Sequence, residues 1–368
     1  MKRLVSVIGT RPQYIKYAAI SQGLDARFET VVVDTGQHYD AALSRDLAHE
    51  LGMGEPGRHL GVGSGKGPEQ LAWMLEGLQE IFQVHHPHAV LCLGDTNSTL
   101  AAALAAVKSD LPVIHLEAGE RTFSRAGRRL PVWVSPEETN RVLTDQISGL
   151  LLCASRRAVE NLAQDGAGGE VVYTGDILYD LYLRESPNET DREEILQRHQ
   201  VEPDSYYYCT VHRAVNTDHR GRLEAITEAL TQLDREVILA LHPRTRKMLF
   251  GFGLLAAVES HSKVRVVDPV SYRDSLALAG GAHRVLTDSG GVLREAFFAG
   301  VPSVCLDDST AWIDVVDTGW SRLTGADLTS ILAAVGSDVP TERPELFGDG
   351  TASSRTVDAV EDFVNTCS

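Results

Sequence analysis

The stretch Leu4-Val5-Ser6-Val7-Ile8 runs straight into Gly9-Thr10-Arg11-Pro12-Gln13 and then into a longer segment of helical spacing. A short β-branched run, turn chemistry and a helix read as one unit of a parallel sheet covered on both faces. The pattern recurs at Thr30–Asp34, Ala89–Leu93, Pro112–Leu116, Leu150–Ala154 and Val171–Tyr173. After a gap it resumes at Tyr206–Val211, Val237–Leu241, Val264–Val267, Arg284–Thr287 and Pro302–Leu306. Two such series predict an α/β protein of two Rossmann-like, doubly wound domains. The first is placed at residues 1–178 and the second at 205–353. The charged segment 179–204, with Pro187 and Pro203, reads as the linker region and holds a short helix at Asp191–Gln200. The end of the chain, 354–368, has helical spacing without a further strand and is assigned back to the first domain.

The chain has 368 residues, enough for two cores at about 100–200 residues per domain. Its 34 Lys+Arg against 51 Asp+Glu give a net charge of −17, which excludes the basic footprint of a nucleic-acid or anionic-membrane binder. An anionic ligand must therefore be held by local donors. The five cysteines are widely spaced and form no CxxC pair, as expected of buried thiols in a reducing compartment. The first apolar stretch is too short for a signal peptide, and no run is long enough to span a membrane, so a cytoplasmic location is expected.

In doubly wound sheets a ligand sits beyond the carboxyl ends of the strands. Those ends read Gly9–Gln13, Asp34–His38, Gly94–Ser98 and Glu117–Arg121 in the first series. In the second they read His212-Arg213, His242-Pro243-Arg244, Asp268 and Thr287–Gly291. Acidic ends in one domain and histidine ends in the other predict an elongated substrate in an interdomain cleft, with an anionic handle and a reacting centre. Ser289-Gly290-Gly291, between a strand and a helix, offers backbone N–H groups to an anion. Glu295, one turn further on, is placed to accept hydrogen bonds from a ribose diol. The simpler reading of this stretch is a serine N-cap and a close-packed glycine pair.

Asp95 and Glu117 end neighbouring buried runs, where desolvation favours general acid/base work. Each has an alternative reading, Asp95 as the cap of the following helix and Glu117 before a turn. Glu137 and Glu138 open another helix and can equally complement its dipole. Arg213 and Arg244 beside His212 and His242 point to an anion pocket, against a purely structural role for the histidines. Two tempting motifs are weak. His85-His86-Pro87-His88 resembles a small metal cluster but lies between a helix and the buried strand that begins at Ala89, and Gly61–Gly67 lacks both a preceding strand and a Ser/Thr after Lys66.

Taken together, GTRPQ (Gly9–Gln13), TGQHYD (Thr35–Asp40), GDTNST (Gly94–Thr99), HLEAGERT (His115–Thr122), PEETNR (Pro136–Arg141), TVHRAVNTD (Thr210–Asp218), HPRT (His242–Thr245) and TDSGGVLREA (Thr287–Ala296) resemble the non-hydrolysing UDP-N-acetylglucosamine 2-epimerase family. The resemblance implies a GT-B-like fold and inversion of C2 of UDP-GlcNAc to give UDP-ManNAc. It implies elimination of UDP to a bound 2-acetamidoglucal and re-addition. It assigns Asp95, Glu117, Glu137 and His212 to catalysis, and Arg11, Arg141, Arg213, His242, Ser289, Gly290, Gly291 and Glu295 to the UDP-sugar. No metal or nicotinamide cofactor is implied, and a homodimer is expected.

Departures from the family pattern matter. Val215 stands where the family has Glu, and Asp307 and Trp312 stand at arginine positions. The segment between Glu117 and Glu137, with Arg125, Arg128 and Arg129, reads as a lid and as a cationic partner for a substrate carboxylate. That keeps 2-epimerisation of UDP-2,3-diacetamido-glucuronic acid as an alternative. A GT-B glycosyltransferase or a silent nucleotide-sugar binder is the rival from another class. Gln37-His38-Tyr39-Asp40 differs from the motif of members activated by a second UDP-GlcNAc, so hyperbolic kinetics are expected.

Overall fold

In the computed structural model, which describes residues 1–37, 47–63 and 65–367, every apolar run named above is a strand paired in parallel. Along the chain the strands are β1 Lys2–Ile8, β2 Phe28–Asp34, β3 Arg58–His59, β4 Ala89–Leu93, β5 Val113–Leu116, β6 Phe123–Ser124, β7 Leu150–Cys153 and β8 Glu170–Tyr173. They continue as β9 Tyr206–Thr210, β10 Glu236–Ala240, β11 Val264–Val267, β12 Arg284–Thr287, β13 Ser303–Cys305, β14 Ser309–Thr310 and β15 Ser321–Leu323. One sheet has the order β3-β2-β1-β4-β5-β7-β8, and another β11-β10-β9-β12-β13-β15. In both, the chain reverses direction across the sheet beside the strand that opens it, the switch point at which doubly wound folds bind ligands.

One compact unit comprises Met1–Arg121, Leu130–Leu183 and Glu345–Ser368. Its central strands β4, β5 and β7 are buried throughout, which is why they read as continuous rather than alternating apolar runs. The alanine-rich helix Asn97–Lys108 packs closely on helix Gly67–His85 over Val5, Val7, Val90 and Cys92. The C-terminal helix Ala352–Thr366 lies against helix Arg11–Asp25, where Arg27 pairs with Asp358 at 2.7 Å and Glu361 at 2.5 Å.

The other unit comprises Thr122–Arg129 and Arg184–Pro344. Successive residues of β9 feed opposite faces. Tyr207 and Cys209 join a core with Leu239 and Leu286, while Tyr206 and Tyr208 join one with Ile238 and Val285. The segment read as a linker is helical at Ile177–Glu185 and Glu189–Arg198, and the latter packs on helix Tyr272–Gly281 through Arg198 and Asp274 at 2.5 Å. Residues 122–129 belong to this unit because β6 pairs antiparallel with β14.

Cys92, Cys153, Cys209 and Cys305 are buried free thiols, and Cys367 is exposed. Burial pushes the Cys305 thiol up to about 12. A short edge strand, β3, does precede Gly61–Gly67, contrary to the sequence expectation, since two exposed polar residues leave no apolar signal. His86 is the left-handed cap of helix Gly67–His85, and His88 accepts the Arg3 N–H at 3.0 Å, so both have local structural work. Among the described residues no group of His, Cys, Asp or Glu is placed to hold a metal ion, and no helix is long and apolar enough to cross a membrane.

Candidate active site

The loops after β1 and β4 are tied by one side chain. Gln13 accepts the Gly9 N–H at 2.8 Å and donates to Leu93 O at 2.8 Å, Thr96 Oγ1 at 3.0 Å and Thr99 Oγ1 at 3.1 Å. Thr96 and Thr99 form a capping box at the start of helix Asn97–Lys108. The cap is therefore Thr96, which frees Asp95 from that role. The carboxylate of Asp95 instead pairs with Arg141, whose other arm reaches Glu138 Oε2 at 3.3 Å. Burial works against the Arg141 charge, but Asp95, Glu138, Glu117 and Glu120 around it outweigh that cost and keep the guanidinium protonated. Asn140 adds a hydrogen bond to Asp95 O at 3.0 Å.

Glu117 directly follows β5 with φ +69°, a left-handed conformation that a non-glycine residue adopts at an energetic cost. It is mostly buried and ion-paired with Lys16 from helix Arg11–Asp25. The pair lines a small cavity with Leu116, Leu152, Ala154, Gly175, Asp176 and Ile177 at the carboxyl ends of the strands. The turn after Glu117 is anchored from behind. His115 Nδ1 lies 2.7 Å from Asp145 Oδ1 and its Nε2 lies 2.8 Å from Gly94 O, while Asp145 also receives Arg121 at 2.7 Å and the Gly119 N–H at 3.2 Å. Gly119 must be glycine, because φ is +81° and a Cβ would strike Ala158 O. Glu137 is half-buried in the first turn of helix Pro136–Ile147, which Ser135 caps by accepting the Glu138 N–H. Arg11 opens its helix half-buried at the end of β1.

In the second unit Asp288 organises the histidine end. It accepts the backbone N–H of His212 at 3.0 Å, that of Arg213 at 2.9 Å and the amide of Asn216 at 3.0 Å, and it lies 3.3 Å from His212 Nδ1. The half-exposed imidazole is thus held by one nitrogen, leaving Nε2 to act. The His242 ring sits 5.7 Å from it, while His242 Nδ1 accepts the Arg244 N–H at 3.1 Å. Arg213 pairs with Asp307, whose carboxyl is pushed up by burial and pulled back by that guanidinium. Arg244 pairs with Asp218 at 2.6 Å. The two arginines read as an open anion pocket thus each carry a carboxylate partner.

Ser289 caps helix Gly290–Ala299 by accepting the Val292 N–H at 3.3 Å, so the capping reading holds and the Gly290 and Gly291 N–H groups remain at the helix entrance. Glu295 is buried near the Tyr272 phenol, which burial, and after it the Glu295 carboxylate, hold protonated. Lys16, Asp145 and Tyr272 escaped the sequence reading, since none of them follows a strand; Glu138 was read only as a complement to its helix dipole, and Asp288 was quoted within the glycine turn without a role of its own. His38, Tyr39 and Asp40, on which the kinetic expectation rests, lie outside the described residues.

Comparison with known proteins gives a consistent assignment. The sequence model of the UDP-N-acetylglucosamine 2-epimerase family matches residues 22–361. A UDP-N-acetylglucosamine 2-epimerase homolog of Methanococcus maripaludis is 36% identical over 98% of this chain and 100% of its own length. The UDP-2,3-diacetamido-2,3-dideoxy-D-glucuronate 2-epimerase of Pseudomonas aeruginosa is also 36% identical, over 96% of this chain and 98% of its own. The crystal structure of Methanocaldococcus jannaschii UDP-GlcNAc 2-epimerase in complex with UDP-GlcNAc and UDP superposes with a TM-score of 0.86 at 32% identity, covering 97% of this chain and 99% of that one. The chain belongs to the UDP-N-acetylglucosamine 2-epimerase family.

Proposed function

We propose that this isomerase interconverts UDP-GlcNAc and UDP-ManNAc. The observation that carries the reading is the pair of carboxylates at adjacent strand ends, Asp95 on Arg141 and Glu117 on Lys16, each with its own cation. The C2 proton of the sugar is hardly acidic, so its removal is coupled to departure of the anomeric UDP. A carboxylate takes that proton as the C1–O bond breaks, the C2–H electron pair becomes the C1=C2 bond, and the C1–O pair leaves on UDP. Proton delivery to the opposite face and return of UDP to C1 complete the inversion. Asp95, Glu117 and Glu137 supply the acid/base groups. His212 steadies the departing diphosphate, with Arg11, Ser289, Gly290, Gly291 and Glu295 holding UDP.

Proton NMR of the protein with UDP-GlcNAc in D₂O tests this. A growing UDP-ManNAc anomeric signal with deuterium at C2 is expected, with UDP still attached. Free ManNAc places the reaction in the hydrolysing class, and an unchanged spectrum removes UDP-GlcNAc as substrate. The second reading, the diacetamido-uronic substrate, is favoured by the exposed Arg125 and Arg128 on the hairpin after β6 and by the Pseudomonas relative. Turnover of that sugar alone would establish it.

The enzyme is further proposed to act in the cytoplasm as a homodimer. Trp73, Val107, Leu143 and Trp133 are exposed on successive packed elements of the first unit, Trp133 by 82%. Such an apolar face marks an interface. Light scattering is expected to give twice the chain mass, and Trp133→Glu to shift it toward one chain. A monomer at micromolar concentration rejects the dimer.

A further inference from the structure

Helix Gly290–Ala299 starts at the turn assigned to the diphosphate, and a buried arginine curls back to that same turn. Arg294 is only 2% exposed, and its Nε donates to Gly290 O at 3.2 Å. Its guanidinium lies 3.5 Å from the centre of the Trp312 ring. Trp312 in turn touches the turn itself, since a Cβ on Gly290 would fall 2.5 Å from the indole nitrogen. Glycine, guanidinium and indole thus form one packed stack at the helix entrance. An arginine side chain stays charged in proteins, and the indole face beside it is a cation–π partner that holds it in place.

By the resemblance drawn from the sequence, Trp312 stands at an arginine position of the family pattern, so a cation expected near the phosphates has to come from elsewhere. We propose that Arg294, held by Trp312, supplies that positive charge to the diphosphate-binding turn. The inference rests on the reading that this turn binds UDP. Arg294 acts through Gly290: it fixes the first residue of the helix and adds a full charge to the partial positive charge of the free N–H groups. It is a positioning residue and takes no proton. Its charge also lies next to Glu295 and the Tyr272 phenol, the groups assigned to the ribose side.

Arg294→Gln keeps a hydrogen-bond donor and removes the charge. Titration calorimetry of the full chain with UDP and with uridine separates the two roles. UDP is expected to bind about tenfold more weakly to the variant, about 1.4 kcal/mol, with uridine changed by less than about twofold. KM should rise by a similar factor while kcat stays within about threefold. Trp312→Ala should reproduce the UDP-selective loss, and Trp312→Phe should recover most of it. Equal weakening of UDP and uridine, or none of either, overturns the proposal and leaves Arg294 as packing. Absence of UDP binding to the unaltered protein overturns the site reading itself, which is a different result.

Discussion

Glu117→Gln is expected to lower kcat by about three orders of magnitude, Lys16→Met by a comparable factor, and the double variant by little more than either alone. The two side chains are a single ion pair, largely out of solvent, at the carboxyl ends of the strands. Gln fills the same volume, so the loss is one of charge and proton-carrying capacity. It leaves the Lys16 ammonium without the anion it pairs with, and Lys16→Met removes the cation nearest the carboxylate. Because each single change disables the same unit, the free-energy losses do not add. The left-handed backbone at Glu117 supports the assignment, because strain of that kind persists where the surroundings enforce it. The assay is the initial rate of 2-epimer formation, with deuterium wash-in at C2 as the second readout. Additive losses, or a Glu117→Gln enzyme retaining a tenth of its rate, would remove the pair from the chemistry.

The fold was legible because its signals are local. Each buried parallel strand is a continuous apolar run, and even the exact bounds of Ala89–Leu93, Val264–Val267 and Arg284–Thr287 followed from where polarity returns. Arg58–His59 and Ser321–Leu323 left no such trace, being short, mostly polar strands at the sheet edges. The candidate site was half legible. Groups that follow a strand, such as Asp95, Glu117 and His212, announce themselves by position. Their partners come from elsewhere in the chain: Lys16 from the second turn of a helix, Arg141 and Glu138 from a helix after a long connection, Asp307 from the loop after β13. Spacing along one sequence carries no record of which cation will face which carboxylate. Asp307 shows the consequence, since a residue read as the loss of a phosphate contact is in the structure the partner that holds Arg213.

Asp145→Ala should cost about 3–5 kcal/mol of stability, a large share of what a domain of this size has. One carboxylate there serves His115, Arg121 and the Gly119 N–H, and the side chains of Asp145, His115 and Arg121 are all fully buried. Removing it leaves a guanidinium inside the first unit with Asp165, at 2.8 Å, as its remaining ion-pair partner among the described residues. It also frees the Glu117–Gly119 turn from its anchor, so the folded fraction should lose rate as well as stability. Asp165→Ala gives the contrast: that carboxylate is 16% exposed, water can replace it at Arg121, and about 1 kcal/mol is expected. Hydrogen exchange of the β5 and β7 amides reads both effects within the first unit, free of any separate transition in the other. Exchange should quicken by about two to nearly four orders of magnitude in Asp145→Ala and by less than about tenfold in Asp165→Ala. If the two variants exchange alike, Arg121 rather than Asp145 is the member on which the network depends, and the anchoring of the Glu117 turn must come from His115 and Gly94 alone.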